Sequence, residues 1–358
     1  MINWIPGLKP LKIGSVDIGF PAIQAPLSGY SDRPQRHITQ NLRDIVLPFG
    51  TYDYLPDDFR SSIVGAAATV AEVMLDQFIV TVRKSVKVNR YLGLEESDHP
   101  CGAQIMGANP EEFAPAAIRL AESGFDWIDL NFACPVKKVL GRKRGGYLML
   151  EPKTALEMVA RTRDALPERI PLTVKLRKGY DDSNESTDEF YAILDGAFAL
   201  GVAAVAIHGR TVLQRYTGLA DWSCIAAAKK HVGNKTILGC GDLFDAPTCI
   251  RRIQETGVDG VCLARGAIGN PWIFPAFNAL AAGFPAPPPP SLAEQAATLN
   301  EHFNRAGALY GEKLACTIMR KFAIKQAARH PEEEALRNRF ATIHSRREWD
   351  ELLNEYYG

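Results

Sequence analysis

Eight short β-rich runs are spaced along this chain, with longer amphipathic stretches between most of them. They lie at 19–25, 66–72, 101–106, 126–131, 171–176, 203–208, 235–240 and 258–263. Several, such as "AAVAI" at 203–207, are continuous apolar runs rather than alternating ones. That is the pattern of strands covered on both faces of a parallel sheet. Parallel neighbours need a crossover, usually a helix, and the intervening segments read as helices. At 110–123, Asn109 can cap, Pro110 suits the first turn, and Glu111 and Glu112 favour the positive helix end. The segment 152–166 also opens on proline, and 246–256 follows Asp245, another cap candidate. Eight such units in roughly 250 residues predict an α/β chain with a (β/α)8 TIM barrel. An open doubly wound sheet is the runner-up, weakened because no GxGxxG follows the first strand.

The texture changes at 283–290, "GFPAPPPP". Four consecutive prolines cannot continue a helix and favour a stiff, extended path. This places a barrel domain at 1–282, a proline-rich linker at 283–290, and a small helical bundle at 291–358. The stretch 43–64 has no clear assignment; a loop that long usually carries function or small structure of its own.

Lysine and arginine number 41, as do aspartate and glutamate. Whole-molecule charge therefore points to no acidic partner, and nucleic-acid contact requires a local basic patch. No apolar run is long enough for a membrane span. The N-terminus does not read as a secretory signal, so the cytoplasm is the default location. Seven cysteines, with no CxxC pair, argue against a disulfide framework and a zinc site. No metal is expected, and no protein partner is implied.

In a barrel the chemistry sits where strands end. Two of those ends are glycine-rich, "GCGD" at 239–242 and "ARGAIG" at 264–269. They follow the last two strands, where barrels commonly hold a phosphate, and Arg265 adds a fixed cationic fork. Gln104, Lys175 and His208 are polar residues in three different apolar strands. An unpaired cation such as Lys175 is too costly there without an acceptor from a ligand. After the fourth strand comes "LNFACPVKKV", with Asn131, Cys134, Pro135, Lys137 and Lys138. It sets a thiol at a strand end, stiffens the next residue, and follows with positive charge.

Together these elements resemble the tRNA-dihydrouridine synthases. The resemblance rests on "APLSGYSDRP" (25–34), "QIMGANPEEF" (104–113), "DLNFACPVKKV" (129–139), "VKLRKGYDD" (174–182), "HGRTVLQRYTGLADW" (208–222), "GCGDLF" (239–244) and "RGAIGNPWIF" (265–274). It implies an FMN enzyme that uses NADPH to reduce uridines in tRNA. FMN would lie against Pro26, Leu27 and Ser28, with Gln104 and Lys175 reaching its ring system and His208 close by. Its phosphate would sit on Cys240, Gly241, Asp242, Ala264 and Arg265. Cys134 would be the general acid that protonates C5 of the uracil after hydride reaches C6.

The base must leave its stack to react, so RNA contacts elsewhere must offset a few kcal/mol. Asn131, Lys137 and Lys138 beside the cysteine are candidates, with Arg177, Lys178 and Arg210 around the mouth. In the helical tail, Lys321, Lys325 and Arg329 recur every four residues and so share a helix face. A solvated face is one explanation of that run; an RNA-facing stripe on an RNA-recognition domain is the other. Leu27, Cys240, Ala264 and Tyr147 depart from the family's usual residues. They leave the target position open, and with it the choice between tRNA and ribosomal RNA. Two other readings stand beside this one: a flavin barrel acting on a free pyrimidine or a dihydroorotate-like molecule, and a barrel that binds RNA without catalysis.

Overall fold

The computed structural model describes residues 2–83 and 86–358. A hairpin, β1 (Leu11–Ile13) and β2 (Val16–Gly19), comes first. The main sheet follows: β3 (Ala22–Gln24), β4 (Thr69–Val70), β5 (Met74–Leu75), β6 (Cys101–Met106), β7 (Trp127–Asn131), β8 (Leu172–Arg177), β9 (Ala204–His208), β10 (Thr236–Cys240) and β11 (Gly260–Leu263). All of its pairings are parallel. Gln24 faces Thr69 and Thr69 faces Cys101, which closes the sheet into a barrel. Strand β5 runs on from β4 along the same neighbour, Met74 opposite Ile105. The two share one stave, so the barrel has eight.

Every residue of β6, β7, β9 and β11 is buried. This is why those runs lack alternation: the barrel interior covers one face and the helices cover the other. Helix Pro110–Glu122 illustrates the outer layer. Asn109 accepts from the Glu111 N–H, and Phe113, Ala116, Ala117 and Leu120 turn inward. Asp245 caps helix Ala246–Thr256 by accepting from the Thr248 N–H.

Two expected strands are shorter than their sequence runs. The 19–25 run is split, because Gly19 ends the hairpin at φ 84 and Pro21 has no N–H for a ladder. The 66–72 run pairs only at Thr69–Val70. Glu72 turns away to bond the Arg90 guanidinium at 3.0 Å. The hairpin itself has no counterpart among the expected strands. Leu11, Ile13 and Ile18 pack with Ile23, Trp127 and Leu238, closing the barrel floor.

The unassigned 43–64 stretch contains helices Leu42–Val46 and Asp57–Ile63 around a short turn of 3-10 helix. It is held beneath helix Ile273–Ala281, where the buried Asn278 amide donates to the carbonyls of Ile63 and Gly65 at 2.9 Å. Tyr54 donates to the Pro285 carbonyl at 3.0 Å, and Phe59 packs on Phe284. The proline-rich segment is thereby bound to the barrel flank. Beyond it, helices Leu292–Tyr310, Glu312–Gln326, Glu333–Ala341 and Arg346–Tyr357 enclose Phe303, Met319, Phe322, Phe340 and Trp349. Tyr30 and Ile268 of the barrel pack against this second core. Among the described residues no helix is long and apolar enough to cross a membrane.

Candidate active site

A cavity of about 390 Å³ opens at the C-terminal ends of the barrel strands. The strands contribute Gln104, Lys175, His208 and Cys240; the loops contribute Pro26, Leu27, Ser28, Cys134, Gly241, Asp242, Ala264 and Arg265. Asn131 and Arg177 also line it. Residues spread over 240 positions thus meet because parallel strands all point their ends the same way.

Cys134 is held by a chain of hydrogen bonds that starts inside the barrel. Thr173 donates to the Asp129 carboxylate at 2.6 Å, and the Gln104 amide donates to its other oxygen at 2.6 Å. The Asn131 amide donates to the Gln104 Oε1 at 2.8 Å. The Asn131 Oδ1 then accepts from the N–H groups of Ala133 and Cys134, both at 3.0 Å. From below, the Arg177 Nε donates to the Ala133 carbonyl at 2.8 Å. Behind the loop, the Gly146 N–H donates to the Cys134 carbonyl at 3.0 Å. A side chain at Gly145 would meet the Cys134 Cβ at 2.8 Å, and its φ of +59 already favours glycine. The backbone that carries the half-buried thiol is therefore held by Asn131, Arg177 and Gly146, and the side chain lines the cavity. Burial lifts its pKa above the ordinary thiol range, against the pull of the Val136 N–H and Arg177. It is protonated at neutral pH.

Two polar atoms in the cavity lining are shielded from solvent and have no protein partner among the described residues: Lys175 Nζ and His208 Nδ1. Burial pushes the imidazole pKa of His208 down to about 2, helped by the charges of Lys175, Arg177, Arg210 and Arg265. It is a neutral ring with an unused nitrogen. Beside His208, which faces Cys240 across the β9–β10 ladder, Gly241 and Asp242 turn the chain at φ 127 and 52, and Asp242 receives bonds from Arg210 at 2.7 Å and Arg265 at 3.2 Å. An unpartnered ammonium and an imidazole beside a turn that Arg265 bonds fit a ligand with polar ring atoms and an anionic group.

The cations expected to meet RNA separate into two groups. Arg177 and Arg210 are buried, and their guanidinium groups support loop carbonyls: Thr211 and Arg215 for the first, Thr217 and Gly218 for the second. Lys178 pairs with Asp182 at 2.8 Å and lies 3.6 Å from Asp221. In the tail, Lys321 donates to the Gly29 carbonyl and lies over the Tyr30 ring, while Arg329 donates to Asn270 and Gly269 at 3.0 and 3.1 Å. Arg329 lies in the 3-10 turn beyond the helix Glu312–Gln326, and only Lys321 and Arg329 meet the barrel, so the three do not form one exposed stripe. Spacing along a helix does not say which side meets water. Lys325 is exposed, as are Lys137 and Lys138 on the short helix Lys137–Leu140. Lys321→Met should lower unfolding free energy by about 1–3 kcal/mol, read by urea titration; an unchanged midpoint would show the seam bond to be idle.

The lining also holds three aromatic residues, Tyr30, Tyr216 and Phe244, that have no counterpart among the expected site residues. Tyr216 and Phe244 flank Arg265, with ring centroids 5.0 and 5.4 Å from its guanidinium carbon, and both are more than half exposed. Tyr30 joins the helical tail to the cavity wall. Asp129, the start of the hydrogen-bond chain, was legible as an acid inside the apolar run "WIDL".

Comparison with known proteins matches a family model described as dihydrouridine synthase to residues 23–357. A probable tRNA-dihydrouridine synthase of Mycobacterium tuberculosis is 32% identical over 350 residues, covering 97% of this chain and 85% of its own. The tRNA-dihydrouridine synthase B of Xanthomonas axonopodis pv. citri is 32% identical over 330 residues, 91% of this chain and 90% of its own. Among solved structures, a 2-naphthoyl-CoA reductase complex aligns with a TM-score of 0.56 at 13% identity, covering 77% of this chain and 52% of that one. Morphinone reductase aligns at 0.52 and 16% identity, covering 80% and 91%. At those identities the structures share the fold.

Proposed function

This chain belongs to the dihydrouridine synthase family, and from that premise we propose that it reduces uridines in tRNA to 5,6-dihydrouridine with FMN and NADPH. The observation that carries the reading is the Cys134 thiol, set on a braced loop at the edge of a cavity whose lining presents two unpartnered polar atoms. Lys175 and His208 would hold acceptor atoms of the isoalloxazine ring, Gln104 would border it, and the 240–242 turn with Arg265 would receive the phosphate. Bound and reduced, the flavin supplies a hydride for C6 of the uracil.

The chain's own residues then handle the proton. Hydride addition at C6 pushes the C5=C6 electron pair toward the C4 carbonyl, and C5 takes a proton. Cys134 gives that proton and becomes a thiolate, which solvent later reprotonates. The Asn131 and Arg177 bonds to the loop hold the sulfur at one place, which is what proximity catalysis needs. Arg177 also places a positive charge near the departing proton's site and so stabilises the thiolate.

The test is purified protein with FMN, NADPH and an unmodified tRNA transcript. Dihydrouridine detected by mass spectrometry supports the reading. Reduction of free uridine or turnover of dihydroorotate, with transcript untouched, would replace it with the small-molecule reading; activity on ribosomal RNA alone would move the target. The pH dependence follows from the thiol. An acid must be protonated to act, and this pKa lies above the usual range. The reductive step should be flat through neutral pH and fall as pH climbs through the thiol pKa. A rate that instead falls on the acid side would assign the proton to another group.

A further inference from the structure

We propose that the segment 137–143 is a clamp for RNA backbone phosphates on either side of the target uridine. This rests on the tRNA reading above and adds Arg142 and Lys143 to it. From Lys137 to Arg144 there are five cationic residues and no acidic one. Lys137, Lys138, Arg142 and Lys143 are exposed. Among the described residues, none of the four has an ion-pair partner; Lys143 meets only the Tyr147 ring, 5.8 Å from its centroid. An exposed run of four unpaired cations repels itself, and a partner with negative charge relieves it.

The second observation is rigidity. The segment is a compact coil of turns: the Gly141, Arg142 and Lys143 N–H groups donate to Lys137, Val139 and Leu140 carbonyls at 2.9 to 3.0 Å. Lys143 is one of three non-glycine residues with positive φ among the described residues, a conformation that turns the chain back toward Gly145. There Gly146 bonds the Cys134 carbonyl. The cations are therefore tied to the catalytic loop by a few fixed bonds, and phosphate held by them is registered against the thiol. The third observation is where other cations go. Arg177, Arg210, Lys321 and Arg329 are spent on carbonyls and Lys178 on carboxylates. In the tail, Arg337, Arg339, Arg346 and Arg347 are each paired with an acid. Exposed positive charge without an ion-pair partner near the cavity lies mainly on this segment, with Arg215 beside the lining residue Tyr216 as a further such cation among the described residues.

The experiment measures binding of an unmodified tRNA transcript to the FMN-loaded enzyme, without NADPH, across a salt series. Each lost phosphate contact should flatten the slope of log affinity against log salt by about 0.7 for single-stranded RNA. The Arg142→Gln, Lys143→Gln double variant should therefore flatten it by about 1.4 and weaken binding about tenfold near 0.1 M salt. A charge-matched control, Lys153→Gln with Lys230→Gln on outer helices, should leave slope and affinity unchanged. Equal loss in both variants would reduce the effect to net charge and overturn the clamp. So would an unaltered slope in the Arg142 and Lys143 variant while wild type still converts the transcript. Wild type that neither binds nor converts the transcript removes the tRNA reading itself.

Discussion

Cys134→Ala is expected to retain its flavin and lose about 10²–10⁴-fold in the rate of uridine reduction, the usual worth of a positioned general acid. Stability should change little, since the loop is held by Asn131, Arg177 and Gly146 through backbone atoms of residues 133 and 134, which alanine preserves. NADPH consumption without RNA should continue, because that half of the reaction needs no proton for uracil. The measurement is single-turnover oxidation of reduced enzyme by transcript, with flavin content from the absorbance spectrum. Near-normal turnover in the variant would take the acid role away from this residue. Loss of flavin along with turnover would make Cys134 part of the cofactor's seat instead.

Lys175→Met should separate two kinds of stability. The Nζ is shielded and makes no hydrogen bond in the protein by itself, with the Asp129 carboxylate acting on it only through space, so methionine removes a buried ammonium whose donors are unsatisfied while keeping most of the volume. The flavin-free variant should therefore unfold at higher urea than flavin-free wild type. With FMN the order should reverse, since a charge-assisted bond is lost, about 1.5–3 kcal/mol. That corresponds to roughly 10–150-fold in FMN dissociation constant. Titration of apoprotein with FMN, paired with urea melts, reads both signs. If the flavin-free variant is less stable and FMN affinity is unaltered, Lys175 is a packing residue whose stem matters more than its charge. The opposite signs expected here are those of a group kept for a ligand at the expense of the fold.

Much of this site could be read before any coordinates. The order of eight strands follows from apolar runs, because burial on two faces removes alternation within a few residues of chain. Cys134, Lys175, His208 and the two glycine-rich turns were legible for a related reason. Parallel strands end at one rim, so polar residues at the ends of apolar runs converge there whatever lies between them.

The cations mark the boundary of that reasoning. Arg177 and Lys137 look alike in sequence, each near a strand end and each followed by another base. In the fold, Arg177 holds loop carbonyls from two segments, while Lys137 stands in water without a partner. The tail run divides: Lys321 and Arg329 meet the barrel while Lys325 stays exposed, because helical spacing is set within four residues and docking is not. The hairpin floor and the 43–64 helices escaped for the same cause: their anchors, Trp127, Asn278 and Phe284, lie far along the chain. Local patterns of burial are written into neighbouring residues and determined the barrel and its reactive rim. Which charges are consumed inside and which remain free for a substrate depends on distant carbonyls and carboxylates, and only the assembled tertiary structure decided that.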